Sequence, residues 1–391
     1  MGSTKSEEVT KNKYGTSQLC YFTSSSLLDD KKTIIFIREK EGQPNLFAAD
    51  LNTGKEWQLT QNEEGILKSY VYFEGNLYAG FGKASVSVDT KRGMIYYIQG
   101  MDVCCVDCFG KKRTLVRLPD NQVTAFTHVS ADGSRICVPT TDARALESDA
   151  REYFINNKPN YNIDERVRRE HLNSYLHVYD TKTGEEISCE KVEDAWVTHV
   201  QFSPKDPSVI LYNHEWADDS GIRRMWIWDG KTHHPLRMEG NRRSRNDWTC
   251  HEMWQPDGEF IIYHGQYENG VSYIGRVRPT GEDMVEIPLP EQYVQYGHFT
   301  VGNIHNHWLV SDGYYREEDS AQKWAGDWIS IQRVDWMKKT IEWIPMCRHE
   351  SVWETQDDHP HPIFNSDDTY VYFTSNQGGE RHIRRIKVSV E

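Results

Sequence analysis

Residues 178–189, VYDTKTGEEISC, read as a strand, a polar glycine-bearing turn and a second strand. The same order recurs in AADLNTGKEWQLT (48–60), CVDCFGKKRTLVRL (105–118), IWDGKTHHPLRM (227–238), RVRPTGEDMVEIPL (276–289) and RVDWMKKTIEWIP (333–345), and the chain closes on a further strand, RRIKVSV (384–390). Taking one residue from each, Asp50, Asp107, Asp180, Asp229, Arg278, Asp335 and Lys387 lie 57, 73, 49, 49, 57 and 52 residues apart. Periods near fifty with four short strands apiece are the signature of propeller blades.

A second element opens the blades: an aromatic or apolar residue, two variable ones, then Asp and a strand. It occurs in THVSADGSRICVP (127–139), THVQFSPKDPSVILY (198–212), CHEMWQPDGEFIIYH (250–264) and HPHPIFNSDDTYVYF (359–373), and more loosely in SSLLDDKKTIIFI (25–37) and SVSVDTKRGMIYYI (85–98). GHFTVGNIHNHWLV (297–310) makes the seventh. The fold class is therefore all-β, a seven-bladed β-propeller filling residues 1–391 as one domain. The charged, partly helical pattern of residues 142–173 predicts an insertion in blade three, placed to act as a lid.

Composition narrows the partners. A formal net charge of −14 excludes a general nucleic-acid or anionic-membrane partner, because both need a basic field. The polar start, MGSTKSEEVTKNKYG, lacks the apolar core of a secretory signal, and no run of eighteen apolar residues occurs, so the chain reads as cytoplasmic. The eight cysteines fall mostly in apolar strand-like runs, as reduced buried thiols do. Cys105 and Cys108 form a single CxxC without the second pair that structural zinc uses.

The blade openings also order the histidines. With Val129, Phe202, Trp254, Phe299 and Phe364 as position zero, His128 and His298 fall at minus one, His199, His251 and His361 at minus three, and His359 at minus five. All offsets are odd, so strand alternation puts these side chains on one face of the innermost strands. Pro360 and Pro362 hold the chain extended, so that His359 and His361 project to the same side. Six histidines thus converge on one axis, overhung by the loops 212–221, 263–270 and 311–327 that follow each second strand.

These residues carry a resemblance. The blade-opening histidines, HEMWQPDG (251–258), GHF with SDG (297–299, 311–313), and above all Gln356 followed by HPHPIF (359–364) and VYFTSN (371–376), resemble the oligogalacturonate lyases of polysaccharide lyase family 22. The likeness is strong over residues 195–391 and weaker before them. It implies a propeller carrying a divalent metal, usually manganese, on His298, Gln356, His359 and His361, with the base on His251 and the substrate on His214 and Arg224, Arg223 competing for the last place. It further implies cleavage of short galacturonate oligomers, chiefly digalacturonate and unsaturated digalacturonate, by metal-assisted β-elimination. A lyase for another uronate oligosaccharide, or a non-catalytic TolB-like propeller binding a protein, are the alternatives.

The chemistry suits the residue types. Removing the hydrogen from carbon 5 of a uronate pushes negative charge onto its carboxylate, so a cation must neutralise that group first. Imidazoles with a neutral amide oxygen bind a divalent metal without cancelling its charge, although imidazole alone does not select manganese over zinc, nickel or iron. Histidine has a suitable pKa to take the proton. Because the chain is acidic, an anionic substrate needs local cations, and Arg224 and the run Arg242, Arg243, Arg245 supply them.

Overall fold

The computed structural model describes residues 5–10, 15–63, 67–68, 81–124, 126–146, 163–215, 224–237, 247–290, 293–295, 297–315, 328–352 and 356–389. Among the described residues, seven blade sheets succeed one another along the chain, antiparallel but for one parallel pair in blade two, Leu67–Lys68 with Phe81–Gly82, and a small two-stranded sheet, Tyr293–Gln295 with Tyr314–Tyr315, stands beside them. Blade one takes Thr16–Gln18, Thr33–Lys40, Gln43–Asp50 and Glu56–Gln58, and blades two to six follow in sequence order. Blade seven has three strands from the C-terminal segment, Ile363–Phe364, Tyr370–Ser375 and His382–Lys387, and takes its outermost strand, Glu7–Glu8, from the other end of the chain. Chain order alone hid this closure, because two residues carry no periodicity.

The repeated turn works through its aspartate. The carboxylates of Asp50, Asp180 and Asp229 each accept backbone N–H groups two and three residues on, the local turn that short acidic side chains favour. Gly184 follows with φ +79°, and a Cβ there would meet the carbonyl of Leu115 in blade two. The turn thus fits only glycine at the point where blades two and three touch.

Each blade buries apolar residues against the next. Seven separate clusters fill the interfaces, from Ile35, Leu46 and Val88 between blades one and two, round to Leu19, Phe36, Ile363 and Ile383 between blades seven and one. An eighth, with Tyr21, Phe22, Phe126 and Trp196, lies over the axis. Of the expected insertion, residues 147–162 lie outside the described residues. Its described parts are the turn Ala143–Leu146 and the helix Ile163–Arg169, whose Ile163 and Val167, one turn apart, enter this axial cluster.

The inner strands share one register. Equivalent pairs near the first turn are Leu27 with Ile34, Val88 with Ile95, Val129 with Ile136, Phe202 with Ile210, Trp254 with Ile261, Val301 with Leu309 and Phe364 with Val371. This corrects the sequence frame in blade six, where Val301 rather than Phe299 takes the zero position. The backbone agrees, since Gly302 N–H bonds the Trp308 carbonyl as Ser203 bonds Val209 and Asn365 bonds Tyr370. Three residues before zero stand Ser24, Ser85, Phe126, His199, His251, His298 and His361. Four consecutive blades, four to seven, therefore place a histidine at one level.

His128 leaves the group. At minus one it lies further along the channel, where its Nδ1 accepts the Phe202 N–H at 3.1 Å. There it lines a cavity of about 270 Å³ on the turn side of the histidine level, with Phe22 between the two.

Deleting the chain through Thr10 strips blade seven of its outer strand, including the bonds from Val9 N–H to the Ile383 carbonyl and from Ile383 N–H to Thr10 Oγ1. At about 1 kcal/mol per net hydrogen bond, the truncation should cost about 2–4 kcal/mol in urea unfolding. Glu7→Ala, which removes only an exposed carboxylate paired with Arg385, should cost under about 1 kcal/mol.

Candidate metal centre and active site

His298 begins at a constraint of the backbone. Gly297 (φ +75°) turns the chain so closely over Asp312 that a Cβ would lie 2.4 Å from its Oδ1. Asp312, fully buried at the end of the second strand of blade six, accepts the His298 N–H at 2.7 Å, His298 Nδ1 at 3.2 Å and the His361 N–H at 3.1 Å. A carboxylate only accepts, so His298 carries its hydrogen on Nδ1 and offers Nε2 outward. One side chain thereby fixes residues from two blades.

His361 sits between two prolines with φ +46°, a left-handed conformation costly for a residue with a Cβ. It is 1% exposed, and among the described residues neither ring nitrogen has a hydrogen-bond partner. Its ring lies 4.3 Å from that of His298 and 5.8 Å from that of His359. Donor atoms of His298, His359 and His361 all fall within 4.8 Å of one another. Gln356 opens the turn Gln356–Asp358 just before them, and its side chain lies outside the described residues.

His251 is placed by a bulge. Cys250 pairs with His264 and Met253 with Ile262, so one extra residue is accommodated at 251–252, and His251 takes φ +54°. Its ring is thereby turned to within 4.4 Å of the His298 ring. Nδ1 meets the Gly297 carbonyl at 3.1 Å and His264 Nε2 at 2.8 Å. The carbonyl requires a hydrogen on Nδ1, which leaves the lone pair on Nε2. Burial, then the charges of His298 and His264, hold the His251 pKa well below the ordinary histidine value, so the ring is neutral. Phe22 lies beneath, its ring 5.3 Å from His251, 5.4 Å from His298 and 5.8 Å from His361.

Arg224 and His214 are both buried. Arg224 is buried and donates from Nε to Glu252 at 2.9 Å, from Nη1 to Glu215 at 3.0 Å and from Nη2 to His199 Nδ1 at 2.9 Å. Burial acts to raise the Glu252 pKa, but the Arg224 charge overrides it and brings it down to about 2. The guanidinium is thus neutralised by two protein carboxylates. Because His199 Nδ1 accepts from Arg224, its hydrogen sits on Nε2 and is donated to the Tyr21 hydroxyl oxygen at 3.1 Å. His214 is buried against Trp226 at 5.1 Å and Tyr212 at 5.9 Å, and burial, with His233 and Arg168 nearby, pushes its pKa down to about 4. Arg223, Arg242, Arg243 and Arg245 lie outside the described residues.

Asp312, His264, Glu215, Glu252 and Phe22 escaped the sequence reading. Only Asp312 and His264 left a signal, since Asp312 follows the second strand of blade six and His264 lies in the second half of that of blade five, towards the rim that the histidines share.

Against known proteins, the model of the family described as oligogalacturonate lyase matches residues 21–390. The oligogalacturonate lyase of Dickeya dadantii is 23% identical over 94% of this chain and 89% of its own length. Among solved structures, an oligogalacturonate lyase in complex with manganese superposes with a TM-score of 0.75 at 17% identity, over 99% of this chain and 96% of that one. An oligogalacturonate lyase from Vibrio parahaemolyticus gives 0.78 at 19% identity, over 98% and 94%. With nearly its whole length matched by the family model, this chain belongs to the oligogalacturonate lyase family.

Proposed function

We propose that this chain cleaves short oligogalacturonates by β-elimination, with His298, His359, His361 and Gln356 holding a divalent cation and His251 taking the proton. Family membership supports the substrate class and the lyase reaction. The observation that carries the metal set is His361, whose two ring nitrogens are buried beside His298 and His359 without a hydrogen-bond partner among the described residues. An unsatisfied buried polar group costs about 1–3 kcal/mol, and a coordinated cation removes that cost. The donor set fits manganese, the ion in the solved relative.

Bound there, the cation supplies Lewis acidity to the uronate carboxylate, which makes the carbon-5 hydrogen removable. The chain does the rest. His251 Nε2 accepts that proton, held in the correct tautomer by the Gly297 carbonyl. Phe22 closes the floor, and the axial apolar cluster excludes water from the reacting centre. The leaving oxygen on carbon 4 is axial and anti to the departing hydrogen, so its acid stands across the sugar from His251. Arg224 we assign to positioning: paired with Glu215 and Glu252, it sets the tautomer of His199 and through it the Tyr21 hydroxyl. We place the activity in the cytoplasm, where eight free cysteines stay reduced.

Manganese should stabilise the parent against urea by about 2.7 kcal/mol at a hundred times its dissociation constant. In His359→Ala, His361→Ala that stabilisation and the bound metal should both vanish while the metal-free fold persists. Unchanged metal stoichiometry by elemental analysis would show the two histidines to be structural.

His251→Ala and His251→Asn should retain the metal and lower kcat on digalacturonate by about 10²–10⁴, because neither side chain takes the proton. If either variant turns over within a few-fold of the parent at saturating manganese, His251 is not the base.

A further inference from the structure

Outside the axial site, a second group of metal donors comes together on the periphery of blade three. His177 on the third strand, Ser174–Asp180, faces Cys189 on the outermost strand, Glu186–Val192, as direct cross-strand partners. Glu186 stands three residues before Cys189, and donor atoms of His177, Glu186 and Cys189 lie within 4.8 Å of one another. Cys189 is the exposed cysteine among eight free thiols, the other seven being buried or partly so.

The proton positions set this group apart from an ordinary surface cluster. The Gln122 amide oxygen accepts the Thr140 hydroxyl at 2.6 Å and faces His177 Nε2 at 2.8 Å. An oxygen so placed requires the hydrogen of His177 on Nε2, which leaves the Nδ1 lone pair pointing at a Glu186 carboxylate oxygen 2.6 Å away. Two lone pairs at that distance repel unless a positive centre stands between them. In the arrangement shown a second proton bridges them as a charge-assisted hydrogen bond. A cation takes that proton's place only as Glu186 withdraws, since two zinc ligands at about 2.0–2.1 Å stand about 3.3 Å apart, and the cation alone then takes in all three donors. Without one, burial and the Glu186 and Glu190 carboxylates push the Cys189 thiol up to about 11, so it stays protonated.

We propose that His177 Nδ1, Glu186 and Cys189 form a second, surface divalent-metal site of the zinc type, with its fourth position open to water. Thiolate with imidazole selects zinc and cobalt over manganese, so the two sites of this chain sort metals by ligand softness. Glu186 is half-exposed, and rotating it outward, away from its contacts with His177 and Tyr179, makes room for an ion. The step is an exchange: the thiol and His177 Nδ1 both release their protons to solvent as the sulfur and the nitrogen take the metal. Bound there, the ion ties the outermost strand of blade three to its neighbour.

Cobalt(II) added to the chelator-treated full chain tests this, because thiolate-to-cobalt charge transfer absorbs in the near ultraviolet and the axial donors contain no sulfur. The parent should develop that band, saturating at one equivalent of thiolate-bound cobalt per chain. Cys189→Ser should lose it, Glu186→Gln should weaken cobalt binding at least tenfold, and His361→Ala should keep it. No band in the parent, leaving a doubly protonated His177 against Glu186 only, would overturn the proposal. So would a band that survives Cys189→Ser.

Discussion

The constraint on which the site depends is the shared register of seven inner strands. A strand moves its side chains by about 3.3 Å per residue, so equal offsets from equivalent pairs bring residues of different blades to one height on the axis. His199 and His298 meet this condition by regular pairing, and His251 and His361 reach the same level through one-residue irregularities in blades five and seven, although 162 positions separate the first from the last. A slip of one residue would turn any of them to the opposite face of its blade. The seven apolar interfaces between blades enforce the register, since a slipped strand would also withdraw its core residues.

Two buried electrostatic devices refine what the register places. Asp312 holds the His298 ring and the backbone of both His298 and His361, so blades six and seven share one orienting carboxylate. Arg224 compensates Glu215 and Glu252 and dictates the tautomer of His199. Taking one partner from such a buried group costs about 3–5 kcal/mol, because the remaining charges stay desolvated. Loss of Arg224 would therefore cost stability. Strain is accepted at two further points, His251 and His361, both with positive φ and both aimed at the axis.

Much of this was legible in the sequence because it repeats. The aspartate turns gave the blade period, and the HPHP segment with its upstream histidines marked the site. Irregular features were not legible. The frame of blade six was misread by two residues, because Phe299 looks like the aromatic zero position and its true equivalent, Val301, does not. The bulge at His251 inserts a residue without a composition signal. Arg224 looked like a free cation because its partners, Glu215 and Glu252, lie 9 residues before it and 28 after it and meet it only once blades four and five pack. Asp312, just past its strand, and His264, inside its own, read as ordinary second-strand residues because their partners come from neighbouring segments.

The central claim is that the histidine level of blades six and seven is a metal centre with His251 beside it. Anomalous-difference density from a crystal grown with manganese tests it most directly. The account predicts one strong peak ligated by His298 through Nε2 and by His359 and His361, with His251 near but not coordinating. A peak that omits His361, or one that includes His251 as a ligand, would contradict it.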